Sequence, residues 1–237
     1  MYLALIAPIA IAVAALQALL GRRSLPGLAL LAVAGAWLTH HRNETYRSEL
    51  GLWADTVAKR PTNARAHHNL ALAHFNAGRP AAAAARFEAA LRLQPDAADS
   101  HYNLGLCLAR LGRPADAIVH YERALAARPG HPEAHNNLGT TLLALNRIAD
   151  ARTHFERALQ LRPAFAEAHG NLANTLLRLT DAPGALRHAE EALRLRPGWT
   201  EAHMNAGDAC AELRRFTDAV SHYESALRLD PENARAH

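Results

Sequence analysis

The sequence predicts an all-α protein, in which a solenoid of helix–turn–helix repeats follows an N-terminal transmembrane helical hairpin. Three observations support this fold class. Prolines recur every 34 residues, and a period of about 20 to 50 residues is typical of stacked repeats. Small and apolar side chains recur at fixed places within that period, and the first 20 residues carry no charge. The prolines that set the period are Pro61, Pro95, Pro129, Pro163, Pro197 and Pro231. Position 1 of each unit is taken three residues after its proline, so the units begin at Ala64, Ala98, Pro132, Ala166 and Thr200.

Residues 1–41 are predicted to form the hairpin. The run from Met1 to Leu20 is apolar, and as a helix it would span roughly 30 Å, the thickness of a bilayer core. A short loop with Arg22 and Arg23 separates it from a shorter apolar run, Leu28 to Leu38. A signal peptide is one alternative, but its positive charge precedes the apolar run, whereas both arginines here follow it. A buried pair of soluble helices is the other alternative.

The charges beside the apolar runs also bear on membrane orientation. Positively charged loops tend to stay in the cytoplasm, which places both chain ends outside it when applied to Arg22 and Arg23. We therefore expect a membrane protein, in a bacterial inner membrane, with its repeats on the extracytoplasmic, periplasmic side. Arg42 and Arg47 follow the second run and favour the opposite orientation, although acidic residues are interleaved with them.

Residues 42–60 fall into register with the repeats that follow. Counted back from Pro61, Trp53 takes position 24 of a unit. Terminal repeats of solenoids normally carry caps. We therefore predict a lone capping helix, a half repeat from Glu44 to Lys59, before a solenoid that occupies residues 61–237.

Each full unit is predicted to form two antiparallel helices, A and B. Alanine or glycine at positions 8, 20 and 27 lets the helices approach closely, an aromatic residue at position 24 fills the remaining space, and the proline at position 32 ends helix B. Gly78, Gly112 and Asn146 suit the turn after helix A because they tolerate positive φ. Pro80 and Pro114 suit the first turn of helix B, where a missing N–H costs little.

The fourth unit departs most from this pattern. Thr180 stands at the turn, and Ala189 replaces the aromatic residue at position 24. Loss of a core aromatic ring typically costs about 3–5 kcal/mol where neighbours do not compensate. We therefore predict that the stack is least stable around residues 180–190.

These positions resemble those of the tetratricopeptide repeat (TPR) family, and the resemblance covers residues 61–237. It implies a right-handed TPR solenoid of five full repeats and the start of a sixth, with a concave groove lined by the A helices. It also implies a scaffold for protein–protein interaction that binds extended peptide segments. Position 4, often a bulky aromatic residue in the family, is histidine in every unit here: His67, His101, His135, His169 and His203.

Asparagine occupies position 6 of all five A helices, and these residues are the candidate peptide-binding site: Asn69, Asn103, Asn137, Asn171 and Asn205. A carboxamide can donate to a peptide carbonyl and accept from a peptide N–H. The row is therefore predicted to hold an extended partner by its backbone, similar to the asparagine ladder of the O-linked N-acetylglucosamine transferase family. The alternative is that each amide bonds a neighbouring helix or water.

The groove is expected to carry acidic side chains. Position 2 is Asp99, Glu133, Glu167 and Glu201 in the last four units, which favours a cationic or neutral peptide over an acidic tail. The net charge of +4 comes without a basic block, so no nucleic-acid partner is expected.

No catalytic residue, metal site or cofactor is predicted. Strands, a phosphate-binding loop and a plausible Ser–His–Asp arrangement are all absent from the pattern. The 15 histidines recur mainly at positions 4 and 23, so successive rings would lie roughly 10 Å apart, too far to converge on one ion. Cys107 and Cys210 lie three repeats apart and have no metal-ligand spacing, which favours a packing role.

The chain ends on the residues with which its repeats begin, since "NARAH" occurs at both 63–67 and 233–237. The last complete unit is therefore expected to expose an apolar face. This pattern favours a fragment of a longer protein over a frayed tail. Self-association through the uncapped last repeat is a further way in which the apolar face could be covered.

The junction Arg42–Ala71 resembles that of transmembrane-and-TPR glycosyltransferases of the GT-C-like kind. Its Arg-Asn, Leu-Trp and Pro-x-Asn-Ala positions carry the resemblance. It implies a non-catalytic C-terminal part of a multi-span enzyme, as an alternative to a complete membrane-anchored TPR scaffold. The membrane-anchored repeat subunits of cytochrome c maturation are a weaker third class, because the loop here is very short and haem-attachment chemistry is lacking.

Overall fold

The computed structural model describes Ile11, Ala15, Ala18 and residues 32–37, 39–40 and 48–232. Its described residues fall into two compact units that divide between Lys59 and Arg60. The predicted hairpin, residues 1–41, lies mostly outside the described residues. Within the described part of the chain, every helix is too short or too polar to cross a membrane.

The first unit contains helix α1, Glu49–Lys59. Glu49 lies in its first turn and Lys59 in its last, as the helix dipole favours. The Lys59 ammonium also lies 2.6 Å from the carboxylate of Asp55, one turn earlier. A helix is thus present where the half repeat was predicted, although the predicted residues 44–47 lie outside the described ones. Its capping role stays a prediction.

The second unit contains five helix pairs and, over residues 60–232, no strand. Helix A of the successive repeats is α2 (Ala64–Asn76), α4 (Ala98–Arg110), α6 (Pro132–Ala144), α8 (Ala166–Arg178) and α10 (Thr200–Glu212). Helix B is α3 (Pro80–Leu93), α5 (Pro114–Ala127), α7 (Ile148–Leu161), α9 (Ala182–Leu195) and α11 (Phe216–Leu229). Each B helix packs against its own A helix and, in the first four repeats, against the A helix of the next repeat, which confirms the predicted solenoid.

Turn chemistry fixes the ends of these helices. Gly78 and Gly112 both have φ of 70° and Asn146 has φ of 62°, as predicted. Thr180 and Arg214 hold the same left-handed conformation, at 60° and 59°, although neither residue type favours it. The turn geometry is therefore common to all five repeats, and the last two adopt it with less suitable side chains.

A continuous apolar core runs through the stack. Leu104, Leu138 and Leu172 at position 7 belong to one cluster of buried residues, whereas Leu70 is equally buried but lies outside that cluster. The alanines at positions 20 and 27 are all buried. Glycine at position 8 admits the aromatic ring at position 24, because a Cβ on Gly105 would lie 2.6 Å from the Tyr121 ring.

Candidate protein-binding groove

The A helices come together on one side of the stack. Each A helix contacts the A helix of the next repeat, whereas successive B helices approach each other less closely in the described residues. The stack therefore curves toward its A side. Exposed positions of α2, α4, α6, α8 and α10 line this concave face, which we call the groove.

Three of the five asparagines at position 6 donate hydrogen bonds to a neighbouring repeat. The Asn137 amide donates to the Tyr102 hydroxyl over 3.0 Å, and the Asn171 amide donates to Asn136 Oδ1 over 3.0 Å. Asn205 donates to the Gly170 carbonyl over 3.1 Å. Each amide thus reaches position 5 of the preceding repeat. In these repeats the asparagines bond a neighbouring helix, which is the alternative considered from the sequence.

Asn69 and Asn103 differ from the other three. Both are half-buried, and their amides have no hydrogen-bond partner among the described residues. Position 5 ahead of Asn103 is His68, whose Nδ1 lies 2.8 Å from the Ser100 hydroxyl and is therefore occupied. At this end of the groove the amide donors and acceptors stay available.

Apolar side chains accompany the two available amides. Leu72 and Phe75 on α2, and Leu106 on α4, are half-buried and pack against the core. The Arg110 guanidinium lies 4.0 Å above the centre of the Phe75 ring. Residues at positions 6 and 9 share a helix face, so each amide lies beside an apolar contact. In the last three repeats position 9 is polar instead: Thr140, Asn174 and Asp208.

The acidic residues at position 2 are largely neutralised. Arg128 binds Asp99 through both carboxylate oxygens, at 2.7 and 3.2 Å. Arginine at the same position, 31, binds Glu133 and Glu167 in the next two repeats. In repeats 2 to 4 these acids are already paired with a cation, so the charge that the groove prefers in its partner stays a prediction.

Two of these arginines stack on aromatic rings at position 34. The guanidinium of Arg196 lies 5.1 Å from the centre of the Trp199 ring, and that of Arg162 lies 4.9 Å from Phe165. The Trp199 ring also occupies the space where a Cβ on Gly170 would stand. In repeat 2 position 34 is His131, and the centre of its ring lies 4.7 Å from that of the Tyr102 ring.

Histidines at positions 4 and 23 pair within each of repeats 2 to 5. His101 Nε2 lies 2.8 Å from the Pro95 carbonyl oxygen, and His101 Nδ1 lies 3.0 Å from His120 Nδ1. A carbonyl can only accept, so Nε2 of the neutral His101 ring carries the hydrogen and its Nδ1 accepts from His120. The same pairing joins His135 to His154 (3.0 Å), His169 to His188 (2.9 Å) and His203 to His222 (3.3 Å).

The first repeat lacks the second histidine of the pair. His67 Nε2 lies 2.9 Å from the Pro61 carbonyl, but position 23 is Arg86. His67 Nδ1 is consequently buried without a hydrogen-bond partner in the described structure. Burial lowers the pKa of His120 to about 4, with His101 and Arg123 adding to the effect. The His120 ring is therefore neutral at pH 7.

Neither the histidines nor the cysteines form a metal site within the described residues, where no three suitable ligands converge. Cys107 and Cys210 are buried free thiols. Burial raises the pKa of Cys107 to about 11, which keeps the thiol protonated and unreactive.

Comparison with known proteins agrees with this architecture. The family model of the tetratricopeptide repeat matches residues 68–132, 111–166, 136–198 and 171–234. The chain therefore belongs to the tetratricopeptide repeat family. No curated protein matches the chain by sequence.

Solved structures similar to this chain include YrrB, described as a TPR protein with an unusual peptide-binding site. It is 23% identical with a TM-score of 0.68, over 78% of this chain and 95% of YrrB. MamA is 21% identical with a TM-score of 0.62, over 68% of this chain and 95% of MamA. PilF of Pseudomonas aeruginosa is 24% identical with a TM-score of 0.66, over 73% of this chain and 79% of PilF. At these identities the similarity establishes the fold alone.

Proposed function

We propose that this protein is a scaffold for protein–protein interaction whose groove binds an extended peptide. The observation that carries the proposal is the pair of unpartnered amides, Asn69 and Asn103, beside the half-buried Leu72, Phe75 and Leu106. Membership of the TPR family supports it, and so does the likeness in fold to YrrB, a TPR protein with an unusual peptide-binding site.

The two ends of the groove have different roles in this proposal. Asn69 and Asn103 hold the peptide backbone, and the apolar residues beside them take up its side chains. Asn137, Asn171 and Asn205 brace adjoining repeats through their donated hydrogen bonds and contribute at most their remaining donor and acceptor capacity. The partner segment is accordingly apolar where it crosses repeats 1 and 2.

Alanine variants of the asparagines test this division. Peptides selected from a random library against the full chain are assayed by fluorescence anisotropy with the wild type. The double variant Asn69→Ala/Asn103→Ala is expected to weaken binding by at least about tenfold, since each lost amide removes two backbone hydrogen bonds. The matched control, Asn171→Ala/Asn205→Ala, removes two amides of the same type and is expected to bind nearly normally. Equal losses in both variants would contradict the proposal.

Membrane anchoring through residues 1–41 is part of the proposal. The uncharged run from Met1 to Leu20 and the apolar run Leu28 to Leu38 support it. The position of Arg22 and Arg23 between the runs favours repeats on the extracytoplasmic side. Carbonate extraction of membranes tests the anchor, and protease accessibility in spheroplasts tests the orientation. Release by carbonate would contradict the anchor, and cleavage only after lysis of the spheroplasts would support cytoplasmic repeats.

A non-catalytic role within a multi-span glycosyltransferase is the second candidate. It depends on the junction Arg42–Ala71, which carries the resemblance to that class of protein. An in-frame coding sequence with further apolar spans upstream of Met1 would favour it, whereas an upstream stop codon and ribosome-binding site would favour the complete scaffold. Nothing in the described residues indicates catalysis by this chain.

Self-association through the last repeat is also proposed. Phe216 and Val220 on α11 are 64% and 54% exposed. Ile118 and Leu186, which share position 21 with Val220, are 7% and 6% exposed because the next repeat covers them. The face of α11 thus has the apolar character of a repeat-to-repeat contact.

A further inference from the structure

Two adjoining cavities open at the junction of repeats 1 and 2, on the side of the stack away from the groove. Their volumes are about 330 and 530 Å³, and Pro95, His101 and Arg123 line both. Leu91 and Leu104 give the smaller cavity an apolar floor. This is a second concave surface, formed by helices α3, α4 and α5.

Two arginines flank this surface without a protein partner. Arg92 and Arg123 are exposed, and neither makes an ion pair or hydrogen bond within the described residues. Eight other arginines of the stack form ion pairs, for example Arg113 with Asp116 and Arg147 with Asp150, both at 2.7 Å. The two guanidinium groups are therefore available to a ligand.

The acidic residue in the lining of the smaller cavity is Glu88, which lies one helical turn before Arg92. This spacing suits an ion pair on a helix surface, but the two side chains do not form one among the described contacts. Two cations and one anion line the smaller cavity, whereas Arg123 and Asp96 line the larger one, so the net positive charge is confined to the smaller cavity. Glu88 is also the group that a bound anion has to compete with.

The other junctions do not repeat this arrangement. The residues equivalent to Arg92 and Arg123 are Ala126 and Arg157 at the next junction, then Gln160 and Glu191, then Arg194 and Ser225. Arg194 is itself bound to Glu191, at 2.6 Å. The junction of repeats 1 and 2 therefore combines a cavity with two available guanidinium groups, while the junction of repeats 2 and 3 is a natural control.

We propose that this junction is a binding site for an oxyanion carried on a protein partner, either a phosphorylated or a carboxylate side chain. A guanidinium group presents paired N–H donors that match the oxygens of phosphate and carboxylate. Arg92 and Arg123 supply these donors from α3 and α5, and the apolar floor accommodates the carbon atoms next to the anion. This site lies apart from the peptide groove and does not depend on its function.

Nuclear magnetic resonance of the full chain with labelled histidine rings tests the site. The probes are N-acetyl-phosphoserine amide and N-acetyl-aspartate amide, titrated at constant ionic strength. His120 lines the cavity, so its ring signals are expected to shift in a saturable way. The signals of His154, which holds the same place at the next junction, are expected to stay unchanged.

Three variants sharpen the test. Arg92→Ala gives this junction the residue found at Ala126 and is expected to weaken binding by at least about tenfold. Glu88→Gln removes the competing carboxylate and is expected to tighten binding by about two- to fivefold. Arg157→Gln, at the neighbouring junction, is expected to have no effect. All three side chains are exposed, so the fold is kept.

The relative affinities of the two probes distinguish a phosphorylated partner from an acidic one. Tighter binding of the phosphoserine probe assigns the site to phosphorylated partners, and equal or tighter binding of the aspartate probe assigns it to acidic ones. Parallel shifts of His120 and His154 would show general charge attraction and overturn the proposal. Unchanged binding by Arg92→Ala, or no saturable shift with either probe, would overturn it as well.

Discussion

The histidine pairs allow a prediction that uses one repeat as the control for another. Repeat 1 has Arg86 where the other repeats have the second histidine, and His67 Nδ1 is buried without a partner in the described structure. Arg86→His should supply the missing N–H donor. A hydrogen bond to an otherwise unsatisfied buried acceptor contributes about 1 kcal/mol, so repeat 1 is expected to gain roughly that stability at pH 7.5.

The reverse change in repeat 2 should have the opposite effect. His120→Arg removes the donor that lies 3.0 Å from His101 Nδ1, and it recreates the arrangement of repeat 1. The buried His101 nitrogen is then left unsatisfied. Such a loss costs about 1–3 kcal/mol, so the variant is expected to be less stable at pH 7.5 by an amount in that range.

The lowered pKa of His120 determines how its contribution to folding stability changes with pH. The pKa of His120 falls from its ordinary 6.5 to about 4, chiefly through burial. The unfolded chain therefore binds the proton more readily, so the stability from this residue is complete above pH 6.5 and is lost as the pH falls toward 4. At pH 5, roughly 1.5 units below the unfolded pKa, the loss is about 2 kcal/mol. Arg113, Arg123 and Asp116 also face the ring but contribute less than burial.

Hydrogen exchange measured by mass spectrometry resolves these changes repeat by repeat, because the stability of a repeat protein is largely local. Peptides from α2 and α3 report on Arg86→His at pH 7.5, and peptides from α4 and α5 are followed at pH 7.5 and pH 5, after correction for the intrinsic exchange rate. The wild type should lose protection in repeat 2 at pH 5, and His120→Arg should lose less on the same change of pH. Destabilisation by Arg86→His, or an unaltered pH response in His120→Arg, would refute the pairing.

The remaining predictions concern the turns, the core and the last repeat. Thr180→Gly should stabilise repeat 4 by about 1 kcal/mol in chemical denaturation because it relieves a φ of 60°, and a loss of stability would contradict this. The reciprocal Gly112→Thr, at a φ of 70°, should cost a similar amount. Gly105→Ala should cost about 1–3 kcal/mol, since its Cβ would lie 2.6 Å from the Tyr121 ring, and an unchanged melting temperature would count against this. Val220→Glu should abolish concentration-dependent association in sedimentation without loss of stability, whereas a wild type that stays monomeric at all concentrations would disprove the self-association.

The sequence was sufficient for the repeat architecture. The 34-residue period placed both helices of every unit, and the turn residues Gly78, Gly112 and Asn146 have the backbone conformation that their types predicted. These features are local, so they can be recognised from residue type and spacing. The predicted hairpin of residues 1–41 stays a prediction.

The environment of each groove residue was harder to predict. All five asparagines share one position, yet the acceptor for each depends on position 5 of the preceding repeat, which varies. Tyr102 and Asn136 provide an acceptor, whereas His68 is occupied by Ser100. Equivalent sequence positions thus have unequal hydrogen bonding, and only the packing of adjacent repeats determines which amides stay available.

Two kinds of side-chain pair, between acid and arginine and between two histidines, can be recognised in the sequence, but the 34-residue period alone does not reveal them. Acidic residues at position 2 accompany arginine at position 31 in repeats 2 to 4, while repeat 5 has Glu201 with Asp230. Histidines at positions 4 and 23 recur 19 residues apart, and a search for equivalent positions 34 apart does not bring them together. Both pairs lie within one repeat, between helix A and the end or middle of helix B.

Backbone recognition in the groove is tested most directly by replacing single peptide bonds of a selected ligand with esters. An ester removes one N–H donor and weakens one carbonyl acceptor, while the ligand's side chains stay the same. At the bonds that cross repeats 1 and 2, an ester should weaken binding to the wild type several-fold and cause no further loss in the Asn69→Ala/Asn103→Ala variant. Equal affinity of the ester and amide ligands for the wild type would contradict recognition of the backbone by these asparagines.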